Sequence, residues 1–206
     1  MSRARSRFRD YWKTVGRKPQ GRGELLLSPV LDGVLPPRPV QVYLPPGYRD
    51  GRDRFPVLYL QDGQNLFDSA TAFAGTWQAA RALDRLAGRG RPVIAVGIPN
   101  SGRRRIHEYA PFVDRRYGGG GGAAYLEWLM ATVQPLIEKQ FRVARGREAT
   151  GIAGASMGGL ISLYAFGRFP ERFGLVGGMS PSLFFGDEAL TGWLANRPPA
   201  GGRVYL

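Results

Sequence analysis

With 206 residues, 43% hydrophobic and 12% aromatic, the sequence fits one domain with a sizeable core. It has no cysteine, which excludes disulfides and thiolate metal sites. No apolar run approaches a membrane span or a signal-peptide core, so a cytoplasmic setting is expected. The net charge of +13 is uneven: residues 1–22 hold eight basic side chains against one acid, Asp10. The remainder is spread thinly through a chain with 30 Gly and 16 Pro, which argues for a basic arm and a compositional bias and against a nucleic-acid footprint.

In the arm, residues 1–22, Phe8, Tyr11, Trp12 and Val15 recur at helical spacing. They predict a short amphipathic helix, packed on the domain or, alternatively, meeting an anionic surface. The domain proper is expected over 23–206, with no internal repeat. Glu24–Leu31 and Val40–Leu44 read as strands separated by Asp32-Gly33 and prolines, and Pro45-Pro46-Gly47-Tyr48 stops the second. Phe55–Gln61 is nearly continuous in apolar residues, as in a strand covered on both faces, and runs into Asp62-Gly63-Gln64-Asn65. A helix over Thr76–Leu86, with Thr76 as N-cap, and a strand over Pro92–Ile98 come next. The loop Pro99–Pro111 then leaves a strand's carboxyl end, where open parallel sheets collect ligand chemistry. Gly118 to Gly122 reads as a flexible connection, since it lacks the Lys-Ser/Thr of a phosphate loop. The following helix puts Tyr125, Trp128, Leu129, Thr132, Val133 and Leu136 on one face and is expected to kink at Pro135.

Thr150 to Ala153 is apolar, Gly154-Ala155-Ser156-Met157-Gly158 is a turn, and Gly159 to Tyr164 continues as a helix closing near Gly167–Pro170. Strand, sharp serine-bearing turn and helix together make the G-x-S-x-G nucleophile elbow, although five residues alone could be a tight connection. Phe173–Met179 reads as a strand, Asp187–Leu194 as a helix, and Arg203 opens another strand. Two leading strands followed by alternating strand and helix predict an α/β fold, a three-layer sandwich with a mainly parallel sheet.

Five stretches, in order, resemble the esterase D or "putative esterase" family of the α/β-hydrolases, in its enterochelin-esterase-like branch. They are Val42 to Tyr48, Leu58 to Asp68, Arg105 to Pro111, Gly154 to Gly159 and Ser180-Pro181-Ser182. The resemblance implies a serine carboxylic-ester hydrolase in which Ser156 forms an acyl-enzyme. It implies an oxyanion hole of the Met157 and Gln64 backbone N–H groups, each donor contributing about 3–4 kcal/mol in the transition state. Asp62, Asn65, Arg105 and His107 would shape the substrate pocket, with Glu108 and Tyr109 stabilising the loop. The partner is a small-molecule ester, and no metal or cofactor is called for. Arg103 to Arg105 could favour an acidic substrate; the alternative is a solvated loop.

The sequence departs from the family at the base. A serine hydroxyl needs a base, usually a histidine held by an acid, and in these enzymes both follow the serine. After Ser156 come Glu171, Asp187 and Glu188 but no histidine. The resemblance therefore implies a domain truncated at its C-terminus, with the acid, the histidine and the last strand and helix missing and an exposed sheet edge. His107, the sole histidine, reads as a rim residue of its loop and less well as the base. An acyltransferase of the same fold and a non-catalytic binding protein that keeps the pocket are the other two readings. Nothing in the residues bears on oligomeric state.

Overall fold

Strands β1 (Lys13–Thr14), β2 (Glu24–Leu27), β3 (Gln41–Leu44), β4 (Val57–Gln61), β5 (Ile94–Ile98), β8 (Thr150–Ala155), β9 (Leu175–Met179) and β10 (Arg203–Tyr205) form one sheet in the order β1-β2-β3-β5-β4-β8-β9-β10. A computed structural model of the chain describes residues 11–15, 21–33, 35–73, 75–197 and 201–206. The first three strands are joined antiparallel, and β3 meets β5 antiparallel; β5, β4, β8, β9 and β10 run parallel to one another. The mainly parallel α/β sheet expected from the alternation is therefore present.

Side-chain alternation assigns the two faces. Val57 and Tyr59 of β4, Ile94, Val96 and Ile98 of β5, and Ile152 of β8 join one core. Leu60, Ala95 and Ala153 point into the other. The first core is covered by α2 (Arg105–Tyr109), α3 (Gly122–Trp128), α4 (Gln134–Gln140), α5 (Met157–Arg168) and α6 (Ala189–Ala195), which contribute Tyr109, Leu126, Ile137, Leu160 and Leu190. Helix α1 (Ala79–Gly88) covers the second with Ala80 and Leu83. Burying a Val, Leu or Ile side chain contributes about 1.5–3 kcal/mol, so these faces orient the whole assembly. Among the described residues, no helix is long and apolar enough to cross a membrane.

Several local expectations change. The amphipathic helix does not extend past Tyr11, which is itself helical: Lys13–Thr14 is a strand paired with Leu26 and Leu27, and Trp12 is buried edge-on against Phe141. Pairing with an open sheet edge satisfies backbone groups that a short basic helix would leave to water. Phe8 and most of the expected arm lie outside the described residues. Helix α1 starts three residues later than expected, because the Thr76 hydroxyl donates to Leu66 O at 3.0 Å and the chain turns at Gln78, φ 52°. The loop after β5 contains α2. The glycine run contributes β7 (Gly118–Gly119), a two-residue partner for β6 (Val113–Asp114). At Pro135 the helix adopts a π-helical segment, Leu129–Val133, before restarting as α4 with the proline in its first turn, where a missing N–H costs nothing.

Candidate active site

Parallel register brings four carboxyl ends to one edge. Gln61 is aligned with Ile98, and Ala155 with Met179, so Asp62, Pro99, Ser156 and Ser180 all leave the sheet on the same side. Ser156 connects β8 to α5 with φ 56° and ψ −122°, a backbone conformation that costs a non-glycine residue about 1–3 kcal/mol. Its neighbours hold it there. The Ser156 N–H donates to Met179 O at 3.0 Å, and its own carbonyl accepts the N–H groups of Leu160 and Ser182 at 3.0 and 3.2 Å. The residue is exposed, and its Oγ lies 3.0 Å from Ser182 Oγ.

Strand and helix meet here without side chains. A Cβ on Gly154 would lie 2.5 Å from the Gly158 carbonyl carbon and 2.9 Å from Gln61 Cβ, so the elbow closes only because residue 154 is glycine. The turn after β4 is equally tight. A Cβ on Gly63 would lie 2.6 Å from the Gly97 carbonyl carbon and 2.7 Å from Ile98 N, and Asp62 adopts a left-handed conformation, φ 55°. Neither the Met157 nor the Gln64 N–H donates to a backbone acceptor among the described residues, as expected of the first turn of α5 and of the short 3₁₀ turn Gly63–Asn65. Gln64 is fastened through its other groups: its carbonyl accepts from Thr71 Oγ1 at 2.8 Å and its Oε1 from the Asn100 N–H at 3.1 Å.

Asp62 and Arg105, distant in sequence, form one unit. The buried Asp62 carboxylate accepts Arg105 Nε and Nη2, both at 2.8 Å, and Asn100 Nδ2 at 2.6 Å. The bond to Asp62 raises the Arg105 pKa above its ordinary value against the opposing effect of burial, so the guanidinium is committed to this bidentate pair. The Asp62 N–H donates to the Tyr109 hydroxyl at 3.1 Å, and Tyr125 donates to Gln61 Oε1. Burial, and after it the Asp62 charge, pushes the Tyr109 phenol above its usual range, and burial does the same for Tyr125. Both stay protonated beneath the turn.

Asn65 and His107 occupy the surrounding loops. Asn65 Oδ1 accepts the Phe73 N–H at 3.0 Å, closing the loop that leads to α1. His107, exposed on α2, has Nδ1 2.9 Å from Gly119 O, which accepts the Nδ1 proton, and its ring packs beside Gly121. Its hydrogen bond therefore goes to the β6–β7 hairpin and not to Ser156. Glu108 pairs with Arg38, a residue not singled out in the sequence, through bonds of 2.7 and 2.6 Å. Desolvation lowers the Arg38 pKa, but the bonds and charge of Glu108 outweigh it and the net shift is upward. Arg38 also donates to Pro36 O and Pro99 O and lies over the Trp128 ring. Asn100, Tyr125 and Ser182 were also not assigned roles; Ser182 alone carried a signal, through the Ser180-Pro181-Ser182 stretch.

A parallel sheet carrying an exposed serine on a strained strand-to-helix elbow defines an α/β-hydrolase-like protein. Residues 36–200 match the family described as "Putative esterase", and the chain belongs to that family, in its enterochelin-esterase-like branch. It is 32% identical over 171 residues to the uncharacterized protein YbbA of Bacillus subtilis, an alignment covering 80% of this chain and 65% of that one. It is 33% identical over 156 residues to the siderophore triacetylfusarinine C esterase of Aspergillus fumigatus, covering 71% and 51%. The chain thus spans between half and two thirds of the length of these relatives. Among solved structures, an IroE-like serine hydrolase from Shewanella oneidensis superposes with a TM-score of 0.68 at 25% identity, covering 85% of this chain and 56% of that one. The enterobactin esterase FES of Shigella flexneri shares the fold, with a TM-score of 0.69 at 21% identity and coverage of 91% and 46%.

Proposed function

We propose that this chain carries the nucleophile half of a serine carboxylic-ester hydrolase. Ser156 attacks the ester carbonyl to form an acyl-enzyme, and the Met157 and Gln64 N–H groups receive the oxyanion. The observation that carries this reading is the exposed Ser156 at φ 56°, held from below by Met179, Ser182 and Leu160. An L-residue is kept in that conformation when its side chain must stand clear of the sheet. The Asp62–Arg105 pair and the Tyr109 hydroxyl support the turn that bears Gln64, and their part is to orient that donor, not to take the serine proton. His107 is turned to Gly119, so it is not assigned as the base. The substrate is a small ester in a cytoplasmic setting, and the siderophore esterases among the relatives make siderophore esters the first class to try.

The test uses a short-acyl nitrophenyl ester and the gene's full product. Turnover that disappears in Ser156→Ala, together with a fluorophosphonate adduct on Ser156 in the parent, is the expected result. Turnover unchanged by Ser156→Ala would overturn the assignment.

A further inference from the structure

The opposite end of the sheet holds a groove of about 620 Å³, within the size range of small-molecule pockets. Thr150 lines it at the start of β8, whereas Ser156 follows the end of that strand, so the two places lie about 20 Å apart at a strand's rise per residue. Its walls carry Arg54, Lys139, Arg145 and Arg172, all exposed. Among the described residues none of these four has a carboxylate within 4.0 Å. Arg147 adds a fifth basic side chain, against two acids, Glu138 and Glu171. A second observation is independent of charge. Gln134, only 3% exposed, also lines the groove and brings a neutral carboxamide, both donor and acceptor, to its wall. A carboxamide at a cavity wall can donate to an anionic oxygen that enters the cavity.

We propose that this groove binds a small phosphate-bearing ligand, at a site separate from Ser156. Unpaired cations around one concavity repel one another, and a bound polyanion removes that repulsion. A single carboxylate would satisfy one guanidinium and leave the others facing each other, whereas linked phosphates present several charges and many acceptor oxygens to arginine forks and to the Gln134 amide.

Inorganic pyrophosphate titrated calorimetrically into the full chain at fixed ionic strength tests this. Arg145→Glu with Arg172→Glu reverses two wall charges, and Gln134→Leu removes the amide without adding charge. Arg81→Glu with Arg85→Glu, on the exposed side of α1, is the matched control. Saturable one-site binding is expected for the parent and the α1 variant, with affinity at least about tenfold weaker in the double wall variant and a few-fold weaker in Gln134→Leu. No saturable binding in the parent, or equal loss in the wall and α1 variants, would overturn the proposal.

Discussion

Replacing Arg38 by alanine should be among the most damaging single changes on the site side of the sheet. Glu108 is 0% exposed and accepts hydrogen bonds from Arg38 on both carboxylate oxygens, so the substitution strands a carboxylate where water does not reach. Breaking one partner of a buried pair costs about 3–5 kcal/mol, a large part of the ~5–15 kcal/mol that holds a domain folded. The reverse change, Glu108→Ala, should fall at the lower end of that range. Arg38 would keep the carbonyls of Pro36 and Pro99 and the face of Trp128. Arg38→Met combined with Glu108→Leu removes both charges at similar volume and should return to within about 1 kcal/mol of the parent. Urea denaturation of the chain reads all four proteins, and with a slope near 2 kcal/mol/M the Arg38→Ala midpoint should drop by about 2 M. A loss below about 1 kcal/mol in Arg38→Ala, or a double variant whose cost is the sum of the two singles, would refute the reasoning, because stranded charge predicts strong coupling.

Two glycine substitutions should act with opposite sign. Gly154→Ala places a Cβ 2.5 Å from Gly158 and should cost about 1–3 kcal/mol, and a displaced serine should react with fluorophosphonate about a hundredfold more slowly in the full gene product. Gly192→Ala, in α6 with nothing within 4 Å of the new Cβ, should stabilise the chain by about 0.5–1 kcal/mol. Asp114 accepts the backbone N–H groups of Gly186, Tyr117 and Arg116, which together hold its pKa below the ordinary carboxylate value. Its contribution is thus fully present above the unfolded value near pH 4 and disappears as pH falls through the lower folded value. Asp114→Asn should lower thermal stability near pH 7 and by progressively less as the pH falls below about 4; a loss that does not shrink with falling pH would rule this out.

The sheet and the elbow were legible because both depend on short-range patterns. An apolar run bounded by turn residues marks β4, β5, β8 and β9, and glycine at 154 and 158 marks a place where backbone meets backbone. Long-range side-chain pairing was not legible. Nothing near Glu108 names Arg38, 70 residues away, and nothing near Asp62 names Asn100, 38 residues away. The π-helical segment was hidden for a different reason: its residues keep a helical apolar pattern, and only the hydrogen-bond register differs. Lys13–Thr14 was misread because helical spacing in a short basic stretch was weighed without knowing that β2 offers an unpaired edge.

The placement of Arg38 and Asp62 also bears on how the protein is made. Both anchors of the loop around His107 precede it in the chain, by 70 residues from Arg38 to Glu108 and by 43 from Asp62 to Arg105. A chain synthesised from its N-terminus therefore has the receptor for that loop in existence before the loop leaves the ribosome. Ser156 is served in the opposite order. Met179 and Ser182, which brace its backbone and side chain, are translated after it, 26 residues later for Ser182. The cradle for the oxyanion turn can be assembled during synthesis, and the nucleophile acquires its final posture last.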